Sequence, residues 1–204
     1  MRKYTTKSVD RRTLLKLTGG VGIAGLAGCM SSSSGDEAYN IGMVDAQTGS
    51  LSDFGARNKR GKDLALSTVN EVGIDGSELQ ITVEDSESEN QGGISAAQKL
   101  VNQDGVPFLI GAVGSGVSLA IYDSVIDGTD VVQLSQNSTG FGLTDFPGLL
   151  RMSPPGSTQA AALSDIIAED GYEELALTYV NNNYGQSLAE GFTEEWDGSV
   201  AYNN

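Results

Sequence analysis

From Tyr39 to Tyr202, short apolar runs of strand length alternate with longer segments of helical period. This alternation restricts the fold more than any other feature. Tyr39–Val44, Glu78–Glu84, Val106–Ile110, Val131–Leu134, Leu175–Val180 and Ser199–Tyr202 read as strands. Gly55–Val72, Ile94–Asn102, Ser115–Asp127, Gly156–Glu169 and Gly185–Trp196 read as helices. The order predicts a doubly wound α/β fold, a parallel sheet with helices on both faces. In Glu78–Glu84, Leu79, Ile81 and Val83 alternate with polar residues, which suggests an edge strand. Leu64, Ala65, Leu66 and Val69 are expected on the buried side of one helix, and Ala160, Leu163, Ile166 and Ile167 on that of another. Phe146–Met152 reads as a crossover into a second α/β unit.

Four loops follow strands and share one chemistry: Asp45–Ser50, Gly114–Gly116, Ser135–Gly140 and Asn181–Gly185. Each carries glycine, hydroxyl or amide groups and few charges. Taken singly this is ordinary turn composition. In open α/β sheets, however, ligands bind outside the carboxyl ends of the strands, where all four loops are expected to gather. Gly114-Ser115-Gly116 leads into a helix start, with Ser115 or Ser118 placed to cap it. Exposed N–H groups there favour an anion such as a carboxylate.

Composition excludes several chemistries. There is no histidine, so Ser-His-Asp and Cys-His mechanisms and His-ligated metal sites are absent from this chain. Gly111–Gly116 is not G-x-G-x-x-G, and Glu84–Glu89 lacks the glycine and spaced ligands of a calcium loop. No catalytic residue, metal or cofactor is implied. The net charge is −15, and six of the 12 basic residues lie before Cys29. Such a surface repels nucleic acid and reads as the solvated, carboxylate-rich exterior of a halophile. Asn137-Ser138-Thr139 matches a glycosylation sequon, which is read as a chance match if it lies in a cleft.

Residues 1–29 read as an address. Arg2, Lys3, Lys7, Arg11, Arg12 and Lys16 form a basic region, and the segment around Arg11 and Arg12 resembles a twin-arginine export signal. The run Val21–Gly28 is much shorter than the roughly 20 apolar residues of a membrane span. Leu26-Ala27-Gly28-Cys29 resembles a lipobox, in which Cys29 receives lipid and the preceding segment is removed. Residues 30–38 read as a flexible Ser-rich tether, placing the protein at the outer face of the cell membrane.

The chain from Tyr39 onward resembles the extracellular solute-binding proteins of branched-chain amino acid ABC transporters, the type I periplasmic-binding fold. The resemblance rests on the order and spacing of Thr48-Gly49…Phe54-Gly55, Asn70-Glu71-Val72-Gly73, Val83-Glu84-Asp85, Ala96–Val101, Ile110-Gly111…Ser115, Leu149-Leu150-Arg151 and Tyr179…Tyr184-Gly185. It implies a first lobe over 39–153 and the start of a second, incomplete lobe over 154–204, closing by a hinge around a small zwitterionic solute. It further implies that Ser115 binds the α-carboxylate, and that the Asn137 carbonyl and Thr139 hydroxyl receive the ammonium. Phe54 would lie near the ligand and Tyr184 would close over it from the second lobe. The ligand would be an amino acid or a short amide such as urea, passed to an ABC permease. A ligand-sensing receptor of the same fold, or an enzyme on a doubly wound sheet, are the competing readings.

Overall fold

The computed structural model describes residues 38–203. The segments read as export signal and tether, with Arg11, Arg12 and Cys29, lie outside the described residues apart from Ala38.

Five strands form one parallel sheet in the order β2-β1-β3-β4-β5. They are β1 (Tyr39–Asp45), β2 (Leu79–Asp85), β3 (Phe108–Ile110), β4 (Val132–Ser135) and β5 (Leu149–Arg151). The helices between them are α1 (Ser52–Asn70), α2 (Asn90–Gln98) and α3 (Ser115–Ile121). After α2 and α3 come single wider turns, Lys99–Gln103 and Tyr122–Ile126. A second, two-stranded parallel sheet pairs β6 (Glu174–Leu177) with β7 (Ser199–Asn203), flanked by α4 (Gly156–Glu169) and α5 (Asn183–Glu195). The alternation in the sequence thus folds as expected, with β2 at an edge. One strand was missed. The segment read as a crossover contains β5, which pairs Leu149–Arg151 with Gln133–Ser135. Its three residues are too few to display a period.

One face of the large sheet is closed. Val44, Leu109 and Leu149 pack against Ala96, Ala97 and Leu100 and against Val117, Ile121 and Tyr122, all buried. Burying a leucine or isoleucine side chain in this way contributes about 1.5–3 kcal/mol. The other face is covered less. There α1 lies over the β1–β2 side, with Asn58 Nδ2 donating to Asp45 at 2.8 Å. Over β3, β4 and β5, Phe108, Ile110, Val132 and Leu134 are half-buried and Leu150 is 54% exposed.

Two helix-face expectations fail for the same reason. In α1, Leu66 and Val69 are half-buried, but Leu64 and Ala65 are exposed. In α4, Ala160 is buried and Ile167 half-buried, whereas Leu163 and Ile166 are exposed. Among the described residues each helix has a partner on one side only, so its apolar stripe is wider than the surface it covers.

The smaller sheet has its own cluster: Ala160, Phe192 and Trp196, with Leu175, Leu177 and Leu188 against them. Phe141 belongs to this cluster although it follows β4, in the 3-10 turn Phe141–Asp145. It joins the large sheet to α4 and α5.

Candidate functional site

The carboxyl ends of β1, β3 and β4 carry three of the four loops singled out in the sequence; the fourth, Asn181–Gly185, follows β6 of the smaller sheet and so does not share their sheet edge. Hydrogen bonds sort these three and the β2–α2 loop into two pairs. The first pair joins the β1–α1 and β2–α2 loops. Asp85 accepts from Gln47 N–H at 2.9 Å, Thr48 N–H at 3.2 Å, the Thr48 hydroxyl at 2.7 Å and Glu87 N–H at 2.8 Å. The Ser88 hydroxyl accepts from Leu51 N–H and donates to the Thr48 carbonyl. Burial works to raise the Asp85 carboxyl, but these donors outweigh it and hold the group below the usual aspartate range. The polar groups of this loop are therefore spent on a latch.

The second pair joins the β3–α3 turn to the β4 loop. Ser115 is the first residue of α3 and is 3% exposed. Its Oγ accepts the Gly140 N–H at 3.0 Å. That bond uses a lone pair and leaves the hydroxyl proton for another acceptor. Neither Ser115 nor Ser118 caps α3; the N-cap is Gly114, without a side-chain bond. Both serines instead reach sideways to backbone beyond the helix. The Ser118 Oγ accepts Ala112 N–H at 2.9 Å and lies 2.9 Å from the Ser138 Oγ. The Ser135 hydroxyl donates to the Ala112 carbonyl at 2.8 Å.

The chain from Ser138 to Gly140 is held from the opposite side. The Ser138 carbonyl accepts from the Ser153 hydroxyl at 2.6 Å, that of Thr139 from Gly156 N–H at 2.7 Å, and that of Gly140 from Arg151 at 2.9 Å. Arg151 also bonds the Thr144 hydroxyl. Three successive carbonyls are thus engaged, while no described residue donates to the Asn137 carbonyl. The Asn137 Oδ1 and both ends of the Gln136 amide are buried without a partner.

Two further loops approach this pair. A Cβ on Gly116 would stand 2.7 Å from Asn183 Oδ1 and 3.3 Å from Asn90 Oδ1, so the starts of α2 and α5 both approach α3 at this glycine, and a larger residue would have to displace their amides. Asn182 caps α5 by accepting Gly185 N–H at 3.0 Å. Tyr184 is half-buried in the first turn, its hydroxyl 3.5 Å from Gln159 Nε2. Phe54 takes no part in these hydrogen bonds. It sits in the first turn of α1, 43% exposed, with the Arg57 guanidinium 5.8 Å from its ring centre.

The structure therefore sets Ser115 against the loop that carries Asn137 and Thr139, and sets Asn183, the residue before Tyr184, against Gly116. Sequence reasoning missed Gln133, whose Nε2 donates to the Gly111 and Ser118 carbonyls at 3.0 and 3.1 Å. Its signal was a single amide inside the apolar run Val131–Leu134. Two surface cavities lie elsewhere. One, of about 360 Å³, includes Asp45, Ser52, Lys59 and Val83 in its lining; the other, of about 490 Å³, includes Glu84, Glu87, Gln91 and Lys99. Neither is lined by Ser115, Asn137 or Thr139. Among the described residues, no group of three or more acidic, cysteine or histidine side chains could hold a metal ion.

A sequence model described as "Periplasmic binding protein" matches residues 38–200. The chain belongs to the periplasmic binding protein family. It is thereby placed among binding proteins and not enzymes. It is similar to a Leu/Ile/Val-binding protein homolog of Brucella melitensis, with 29% identity over 182 residues, 87% of this chain and 48% of the relative. It is similar also to the Leu/Ile/Val-binding protein BraC3 of Rhizobium johnstonii, with 29% identity over 157 residues, 74% of this chain and 42% of the relative. The fold matches the branched-chain amino acid transporter substrate-binding protein LivJ of Streptococcus pneumoniae, solved with isoleucine. That match has a TM-score of 0.75 at 24% identity and covers 82% of this chain and 49% of LivJ. This periplasmic binding protein chain spans about half the length of the relatives it matches.

Proposed function

We propose that this chain supplies the solute-contacting face of a substrate-binding protein that delivers an amino acid, or a short amide, to an ABC permease. One observation carries the reading. The Ser115 hydroxyl and the Asn137–Gly140 loop sit side by side at the carboxyl edge of the sheet, with a proton on one and an open carbonyl on the other. A zwitterion needs a donor for its carboxylate and an acceptor for its ammonium, one carbon apart. In this reading Ser115 meets the carboxylate, and the Asn137 carbonyl and Thr139 hydroxyl meet the ammonium. Phe54 and Tyr184 flank the ligand. Residues 39–153 form one lobe and 154–204 begin the other, and the contact of α5 with α3 at Gly116 is the closed arrangement that binding favours. Relatives named for Leu/Ile/Val binding support an aliphatic amino acid as the first solute to try.

The same reading places the protein outside the cell, exported through Arg11 and Arg12 and held to the membrane by lipid on Cys29. Mass spectrometry of membrane-extracted protein tests this part. The expected mature chain begins at a lipid-modified Cys29, and an unmodified Cys29 still joined to Gly28 overturns it.

For the site, titration of isotope-labelled protein with leucine, isoleucine, valine and short amides is decisive. Shifts are expected at Ser115, Asn137 and Thr139. Ser115→Ala removes a hydrogen bond to a charged group and should weaken binding about tenfold or more. Shifts confined to other loops, or an unaffected Ser115→Ala, would place the site elsewhere.

A further inference from the structure

Two receptors recognise an α-amino acid only while the distance between them is kept. We infer that Ser118 and Ser138 are positioning residues that set this distance, and so select α-amino acids over β-amino acids. The inference rests on the zwitterion reading above and adds to it the source of its selectivity.

The hydroxyls of Ser118, Ser135 and Ser138 converge on the backbone of one residue, Ala112. Ala112 gives its N–H to Ser118 Oγ at 2.9 Å and receives Ser135 Oγ at 2.8 Å on its carbonyl. Ser138 Oγ stands 2.9 Å from Ser118 Oγ and 3.2 Å from the Ala112 carbonyl oxygen, and its N–H donates to Ser135 Oγ at 3.1 Å. Ser118, Ser135 and Ser138 are each at most 1% exposed, so no bulk water competes for these bonds. Ser115 lies midway between Ala112 and Ser118, both anchored in the cluster. Thr139 follows Ser138 directly. The cluster thus grips the chain on each side of the carboxylate group's partner and immediately before the ammonium's.

A serine side chain places its oxygen about a single torsion, so three such ties between the two loops leave them little relative freedom. Preorganised partners discriminate between ligands of different length because neither can follow the shorter or longer one. In an α-amino acid one carbon separates the two charged groups; in a β-amino acid there are two. Rigid loops accept the first spacing, and slack loops accept both.

The test compares the full chain with Ser118→Ala, Ser138→Ala and a control, Ser164→Ala. Ser164 is also buried and donates to the Glu195 carbonyl at 2.9 Å, but it joins α4 to α5 and touches neither loop. Each protein is titrated with leucine and with β-leucine. The preference for leucine should fall at least tenfold in the two cluster variants and stay unchanged in the control. Hydrogen exchange at Ala112 and Gly140 N–H should quicken at least tenfold in the same two variants. A preference that survives both substitutions, or that falls equally in Ser164→Ala, overturns the inference while leaving the zwitterion site standing. Wild-type protein that binds neither compound overturns the zwitterion reading and the selectivity with it. In that case unchanged exchange at Ala112 and Gly140 would show that the cluster does not hold the loops either.

Discussion

The ring of Phe141 lies so close to Gly191 that a Cβ on that glycine would stand 2.1 Å from the ring. On its other side, a Cβ on Gly156 would stand 2.5 Å away. Phe141 leaves the β4 loop of the large sheet and is clamped between α4 and α5 of the smaller unit. Gly191→Ala should therefore force the ring out and cost about 1–3 kcal/mol, as overpacking does. Phe141→Ala opens a cavity in a half-buried site and should cost about 2–4 kcal/mol. Urea unfolding followed at Trp196, which stacks on Phe192 in this cluster, reads both. Stabilities equal to wild type would mean that Phe141 does not couple the two units.

Acid should release the β1–α1 loop. The folded Asp85 carboxyl sits below its unfolded value, so its stabilising contribution is complete above the usual aspartate pKa. It is lost as pH falls from there through the lower folded value. Asp45 works the other way: burial raises it, and the nearby Asp85 adds to that, so protonating Asp45 favours the folded state in acid. The expected result is faster hydrogen exchange at Gln47, Thr48 and Glu87 as pH falls through that window, after correction for the intrinsic rate. Asp85→Asn should show faster exchange at neutral pH and lose most of the pH dependence. A pH profile identical to wild type in that variant would remove Asp85 from the latch.

The second face of the large sheet should be sticky. Parallel sheets are ordinarily buried on both faces, yet Leu150 is 54% and Met152 73% exposed beside half-buried Leu134 and Val132. Leu150→Lys with Met152→Lys should reduce binding of a hydrophobic dye and lower self-association in sedimentation, with a change in stability below about 1 kcal/mol. Unchanged dye binding would locate the apolar surface elsewhere.

Salt should stabilise the fold. With 27 acidic residues against 12 basic ones, self-repulsion extends over about 30 Å at 0.01 M salt and about 3 Å at 1 M. The thermal midpoint is expected to rise steadily across that range. Asp63 is an exception: Lys59 and Lys62 hold it down at about 2, so at neutral pH it is ionised but paired, and salt screens that attraction. A flat salt response would show that the carboxylates are too dispersed to repel one another.

What the sequence determined by itself is local and periodic. Runs such as Tyr39–Val44 and Val131–Leu134 are apolar at strand length, and Gly156–Glu169 repeats at helical spacing, so order, type and parallel pairing follow from one dimension. The placing of Ser115 at the start of α3 follows likewise from the Gly114-Ser115-Gly116 punctuation. What tertiary structure decided is everything that depends on a partner distant in the chain. The three residues of β5 become a strand only because β4 offers open backbone groups beside them. Leu64, Leu163 and Ile166 stay exposed because no described residue packs over them, whatever their spacing predicts. Ser118 could have capped its own helix; it serves the Ala112 peptide and Ser138 instead because the fold brings those groups within hydrogen-bond reach. A hydroxyl has no preference among nearby partners that its sequence neighbours can reveal, and burial makes the final pairing hard to exchange.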